Sequence, residues 1–373
     1  MCIDCVKDTK LKKYFLSKTL EKDVCTFCKK SHHRCLDIDN DEFANMVRAL
    51  IRYHYYEVEY NRHFGGLSLT ELLLEENEIF NSERLADEED IDILTGIIED
   101  LQFNDNTEVA LYYGHIEGTR GAFMERIKNR KDKRIEKLEE QLLKQNYFTL
   151  EDEFQRVLKS YEKYFKSKIQ KKELFYRARI GYAKKEETNE GFFYDPTDED
   201  ALVKYIPYKK SEIGAPPIES MSLGRLNRMG VSYLYLATDI ETALTEIRPD
   251  PGHKVSIGCF RTKQKLKIAD LDQAFIAMAK TENTLEEYRY LNHIDQILSR
   301  AITRDERHRY LVTQFVSDGF RKLGYDGIFY SSSITDGQNL LIFNPDNFEY
   351  VEYESSVYDI NTVKYQYTKM GYL

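Results

Sequence analysis

The sequence predicts a multidomain chain: a small zinc ribbon, an all-α bundle, and a larger α/β (α+β) domain. Three observations carry that prediction. Five of the six cysteines lie in the first 35 residues, four of them as two C-x-x-C pairs. From about Asp41 to Ser167 apolar residues recur at helical spacing. From Lys171 onward, short β-branched and aromatic runs alternate with helical ones. The expected boundaries are 1–38, 39–168 and 171–354, with 355–373 as a tail or a further strand.

Length and composition agree with several packed domains. At 373 residues the chain can bury a substantial core. Its 28 Tyr and 20 Phe suit packed structure and exclude long disorder. A net charge of −10 argues against a surface devoted to nucleic acid. No apolar run approaches the roughly 18 residues of a membrane span, and MCIDCVKDTKLKK lacks the apolar core of a signal peptide. The expectation is a cytoplasmic protein with reduced thiols and no membrane contact.

Taken in order, Cys2 and Cys5 form the first pair and Cys25 and Cys28 the second, with a spacer of 19 residues between the pairs. That spacing suits a two-knuckle site in which four thiolates enclose a structural Zn2+. His32, His33 and Cys35 are candidates to replace one thiolate. Four cysteines leave no open coordination position, so a catalytic zinc is not expected. The segment is rich in Lys and Arg, which leaves a weak nucleic-acid contact open beside an ordinary solvated face.

Helices are expected from Asp41, over Leu69–Phe80 and Glu88–Leu101, from Ala122 to Gln145, and from Leu150 to Ser167. Together they make an all-α bundle. In the first of them Arg48 precedes His54 by six residues. This resembles the Arg/His pattern of HEPN ribonuclease domains, but Ala49 stands where a polar residue usually follows that Arg. Only the fold is carried over, and His54 is read as a hydrogen-bonded core histidine.

The third domain opens with the strand ELFYRARI. Polar loops follow at Glu186–Asp200 and Lys209–Pro217. In GRLNRMGVSYLYLATDIETALTE (Gly224–Glu246), a turn leads to a buried strand and then a helix from Ile240. Thr238 and Glu241 have capping-box spacing at its start. HKVSIGCFRT and KLKIADL are strands, Leu285–Thr303 a helix, and HRYLVTQFVSDGFRKLG a helix ending at Gly324. YDGIFYSSS, QNLLIFNP and FEYVEYE close the domain as strands.

The polar residues at these strand ends, Arg177, Arg179, Arg225, Tyr235, Glu246 and Ser331–Ser333, are the candidate site. The segment from about 174 to 354 resembles the RES domain family. It carries LFYRAR, the GRLN…YLA…ALTE block and YDGIFYSSSITDGQNLLIFNP in the family's order. The resemblance implies an α/β domain similar to ADP-ribosyltransferase toxins. It also implies degradation of NAD+ as substrate, with arrest of bacterial growth, in a toxin–antitoxin or phage-defence setting. By match, the family Arg, Glu and Ser fall on Arg177, Glu246 and Ser332, while Arg225, Tyr235 and Ser331 fall among the substrate-binding positions. Relatives often have a neutralising antitoxin and no long N-terminal half, so an antitoxin or sensor partner is expected.

The chemistry suits these residue types. Loss of nicotinamide leaves an oxocarbenium-like ribosyl cation, as in glycoside cleavage. Guanidinium forks at Arg177 and Arg225 match diphosphate oxygens, and a carboxylate at Glu246 stabilises the cation. Tyr235 is a candidate to stack on nicotinamide or to be plain core. Arg179 is read equally as a strand-face ion-pair residue. Water, phosphate or a macromolecule could each accept the ribosyl group, so an ADP-ribosyltransferase is the alternative enzyme. The remaining alternative is a nucleic-acid-binding or sensing protein with an inactive RES domain.

Overall fold

The structure, a computed structural model, describes residues 1–75, 77–84, 88–103, 109–112, 123–187, 203–217, 219, 223–300 and 309–364. The chain divides into two compact units. One is Met1–Lys166 with Asp270–Ile297, and the other is Ser167–Ala269 with Leu298–Leu373. Among the described residues no helix is long and apolar enough to cross a membrane.

The first unit begins with helix α1 (Thr9–Leu16) and the antiparallel hairpin of β1 (Glu21–Val24) and β2 (Ser31–Cys35). Helix α2 (Asp41–His54) starts where Asn40 Oδ1 accepts from Phe43 N at 2.9 Å, a side-chain N-cap. It is followed by α3 (Glu57–Tyr60), α4 (Leu69–Glu75), α5 (Glu88–Phe103), α6 (Lys133–Lys144), α7 (Glu151–Ser160) and α8 (Glu162–Phe165).

The helix expected from Ala122 to Gln145 is shorter than its periodicity suggested; Ala122 itself lies outside the described residues. Residues 123–126 are not helical, and α6 begins only after Asp132, whose side chain accepts from Arg134 N at 2.8 Å. The intervening backbone is used by α2. Ile127 N and Lys128 N donate to the carbonyls of Arg52 and Tyr53 at 3.1 and 2.9 Å, filling acceptors that a helix C-terminus leaves open.

The second unit carries β3 (Lys166–Ile169), β4 (Leu174–Ile180), β5 (Lys184–Glu187), β6 (Val203–Ile206), β7 (Leu234–Ala237), α9 (Ile240–Glu246), β8 (Lys254–Thr262) and β9 (Leu266–Asp270). After α10 (Leu271–Met278) and α11 (Glu282–Ser299) come α12 (Tyr310–Lys322), β10 (Gly327–Ser331), β11 (Gln338–Ile342) and β12 (Phe348–Asp359). An eight-stranded sheet has the order β12-β8-β4-β7-β11-β10-β9-β3, and β5 pairs separately with β6. The polar stretch expected as a loop from Glu186 therefore begins inside a strand; residues 188–202 lie outside the described residues. The closing strand runs past 354 to Asp359, and residues 365–373 also lie outside the described residues.

The sheet's core on one side is Phe175, Leu234, Leu236, Ile268, Phe329 and Leu340 with their neighbours. On the other side the buried residues are small or β-branched: Ala178, Ala237, Val255 and Ile257, packed with Ala243 of α9. Small side chains there let α9 approach the strands closely. Because strand side chains alternate, Tyr235, Tyr330 and Asn339 share that side with α9.

The segment Asp270–Ile297 leaves the sheet and belongs to the first unit. Lys10 Nζ lies 3.0 Å from Asp272, and Lys13 Nζ lies 2.7 Å from Asp270. Arg52, almost wholly buried, bonds Glu282 and Glu286 at 3.0 and 2.9 Å. Phe275 packs edge-on against Tyr53 and Tyr288, with ring centroids 5.3 and 5.1 Å away. Such aromatic pairs contribute about 1 kcal/mol each beyond their burial.

Candidate active site

Strands β4 and β8 pair continuously from Leu174 to Ile180, but β4 and β7 pair only at Tyr176 and Ala237. Beyond that bridge the ladder is interrupted. A cavity of about 200 Å3 opens beside it, lined among others by Arg177, Tyr235, Glu246, Tyr330 and Asn339. Arg177 Nη1 donates to the Tyr235 carbonyl at 2.9 Å across this seam. Burial pushes the Arg177 guanidinium below its ordinary range, and nearby Arg179 adds to that effect.

Helix α9 aims Glu246 at the same place. Its N-cap is Asp239, which accepts from Thr242 N at 2.7 Å, rather than the expected Thr238. Thr238 instead gives its hydroxyl to the Asp239 carboxylate at 2.9 Å and accepts from Gln338 N at 3.0 Å, tying the cap to β11. The other Asp239 oxygen and Thr242 Oγ1 crowd Gly337 so closely that no Cβ fits there. At the far end of α9, Glu246 Oε1 accepts from Asn339 Nδ2 at 2.7 Å and faces Ser332 Oγ at 3.4 Å.

The GRLN loop is tied to two residues of the lining, Tyr235 and Tyr330. Tyr235 OH donates to Asn227 Oδ1 at 2.8 Å and accepts from Leu226 N at 3.2 Å. Helix α12 holds the loop from behind. Gln314 Nε2 donates to the Gly224 and Asn227 carbonyls at 2.7 and 2.9 Å, Ser317 Oγ to Leu226 O at 2.7 Å, and Thr313 to Arg225 O. The loop presents Arg225, with its guanidinium carbon 5.8 Å from the Tyr330 ring centre. Arg225 Nε and Nη2 are buried and make no hydrogen bond among the described residues. Buried donors left open in this way are costly, and an anionic ligand that reached them would satisfy them.

Arg177, Tyr235 and Glu246 thus line one cavity, with Ser332 against Glu246 and Arg225 over Tyr330. Ser331 ends β10 opposite Gln338, and Ser333 is exposed. Arg179 points away: it stacks on Tyr208 at 4.5 Å and donates to Glu212 O. Tyr235 is tied by its hydroxyl to Asn227, so it orders the Arg225 loop as well as lining the cavity; burial pushes its phenol well up. Sequence reasoning missed Asn339 and Tyr330. Asn339 had a signal, a lone amide within the apolar strand QNLLI, where a polar side chain needs a partner.

The N-terminal cysteines meet as expected. The sulfurs of Cys2, Cys5, Cys25 and Cys28 lie within 4.8 Å of one another, all buried. Cys2–Cys5 is 3.5 Å, and Cys2–Cys28 and Cys5–Cys25 are 3.8 Å. Cys2 N–H donates to Cys25 Sγ at 3.1 Å. Cys35 is not in this group; its thiol lies toward the Asp23 carbonyl at 3.5 Å. His32 Nε2 sits outside the four, 3.3 Å from Cys28 Sγ. The side chain of His33 lies outside what the structure describes.

Arg48 and His54 do not form a joint site. His54 Nε2 is 2.8 Å from Asp8 Oδ2, both buried, and Arg48 is buried against Asn45. His54 is a hydrogen-bonded core histidine.

A sheet with a helix-borne Glu beside a strand-end Ser and two nearby arginines defines an α/β (α+β) domain with a polar cleft. Residues 206–364 match the family model of the RES domain, which places a RES domain in the C-terminal part of the chain. Arg177 precedes the matched residues but lies in the same sheet. A chain from the crystal structure of the M. tuberculosis MbcT–MbcA toxin–antitoxin complex is similar at 12% identity. That likeness covers 55% of this chain and 92% of the other, with a TM-score of 0.27, too slight to place any residue. Among curated proteins none matches.

Proposed function

We propose that the C-terminal part of the chain is an RES toxin domain that degrades NAD+. The observation that supports this most is that Arg177 and Glu246 line one small cleft, with Ser332 beside Glu246 and Arg225 over Tyr330 of the same lining, in a sheet most of which falls within the residues matching the RES domain. Arg225, with two buried nitrogens lacking partners among the described residues, is suited to the diphosphate, and Arg177 to a second anionic group. Glu246 would lie near the ribose. As the bond from ribose C1 to the nicotinamide nitrogen breaks, its electron pair leaves with nicotinamide, which departs neutral. The ribosyl cation is stabilised by the Glu246 carboxylate and captured by water or phosphate, whose proton passes to Glu246 or solvent. Ser332 would orient a ribose hydroxyl or the carboxamide. Growth arrest follows from NAD+ loss, and a neutralising antitoxin or sensor partner belongs to the same reading.

The test is to incubate the protein with NAD+, with and without phosphate, and identify the products. Free nicotinamide with ADP-ribose or its phosphorylated form is expected. Intact NAD+ throughout rejects the reading, and ADP-ribose found only on a macromolecule makes the protein a transferase instead.

The four-cysteine cluster is read as a structural zinc site. Zinc bound to four sulfurs at about 2.3 Å needs them roughly 3.8 Å apart, and the Cys2–Cys5, Cys2–Cys28 and Cys5–Cys25 separations of 3.5, 3.8 and 3.8 Å fit. Bound zinc would hold both knuckles and keep the thiols deprotonated.

A further inference from the structure

We infer that Asn339 is the positioning residue for Glu246, fixing the direction in which its carboxylate meets the substrate. The inference rests on the NAD+-cleaving reading above. Asn339 is only 4% exposed and sits on β11, in register with Ala237 of β7 on one side and Tyr330 of β10 on the other. Its backbone is therefore held from both flanks, and its side chain has two rotatable bonds. From there Nδ2 reaches Glu246 Oε1 at 2.7 Å, a distance in the range of charge-assisted hydrogen bonds.

The carboxylate has little else to hold it. Glu246 is the last residue of a seven-residue helix, where a long side chain would otherwise sample several rotamers. Ser332 Oγ, at 3.4 Å, is a weaker second contact to the same oxygen. A terminal amide nitrogen can donate but not accept, so the direction of this bond is fixed. With Oε1 engaged by Asn339, Oε2 is the oxygen available to the substrate. A carboxylate fixed beforehand needs no reorganisation as positive charge develops on the ribose.

The experiment compares kcat, KM and the pH profile of NAD+ consumption for the wild type, Glu246→Gln, Asn339→Asp and Asn339→Leu. In Asn339→Asp two carboxylates occupy the place of the amide–carboxylate pair and share a proton. The acid limb of kcat should move up by about one pH unit or more, with kcat down at neutral pH. Asn339→Leu, similar in volume but without a donor, should lower kcat on the order of 10-fold with KM little changed, the mark of an interaction that acts in the transition state. If wild type consumes no NAD+, or Glu246→Gln is as active as wild type, the reading of the site itself fails. If those two behave as required but both Asn339 variants keep the wild-type kcat and acid limb, the Asn339 inference is overturned. Should Asn339→Asp not fold, the kcat and KM of Asn339→Leu decide alone.

Discussion

The carboxamide of Asn227 stands where a Cβ on Gly224 would have to go, so any larger residue at 224 must displace it. The same carboxamide takes the Tyr235 hydroxyl at 2.8 Å. Gly224→Ala should therefore loosen the loop that carries Arg225. The expected result is a loss of about 1–3 kcal/mol in stability, as for other overpacked sites, and a raised KM for NAD+. Thermal melting and steady-state kinetics measure both.

Glu246→Gln keeps the shape of the side chain and removes its charge. Loss of one preorganised electrostatic group costs about 100- to 1000-fold in kcat. Nicotinamide release measures it, and an unchanged melting temperature separates this from misfolding. In growing bacteria the same variant should be tolerated where wild type arrests growth.

Purified protein should contain about one equivalent of zinc. Cys5→Ser should remove it and lower the melting temperature, because the hairpin of β1 and β2 would lose its closure. Metal analysis with unchanged zinc in a Cys25/Cys28 double variant would refute the site.

Burial pushes Asp8 up, but the His54 hydrogen bond and charge outweigh it and hold the carboxyl below its ordinary range. A depressed carboxyl contributes stability above its unfolded value of about 3.9 and loses it as pH falls through the folded one. Asp8→Ala should cost about 1–3 kcal/mol near neutrality. The gap in melting temperature to wild type should narrow below about pH 4, and a gap that stays constant down to pH 3 would contradict the assignment.

A fragment starting at Lys171 would keep α10 and α11 without the residues they pack on. Phe275, Tyr288 and Leu291, all buried in the intact chain, would be uncovered. Such a fragment should bind hydrophobic dyes and aggregate on size exclusion. A monodisperse, dye-silent fragment would show that Asp270–Ile297 packs differently.

Short motifs made much of the candidate site readable. YRAR, GRLN with its downstream Glu, and the YSSS strand each mark a strand end or helix position, and the fold brings these together. The gathering of the four cysteines was readable from the spacing of the two C-x-x-C pairs. What could not be read depended on long-range partners. The helix expected from Ala122 fails over 123–126 because the backbone just after it serves the C-terminus of α2, which no local pattern encodes. The amphipathic stripe of α11 fits a helix but does not say which unit it packs in. Asp239 caps α9 in place of Thr238, since Thr238 is drawn off to β11. Asn339 acquires meaning only once α9 delivers a carboxylate 93 residues away in sequence.

Arg177 occupies an unusual station in the sheet. Past the lone bridge between Tyr176 and Ala237, its guanidinium meets a β7 carbonyl in the way a neighbouring strand's amide normally would. A side chain thus serves as a rung between two strands that have parted, and the cleft exists because of that parting. On the proposed reading, architecture and chemistry meet at this position. A chain that lost Glu246 would keep this seam, whereas one that lost Arg177 would give up the rung across it.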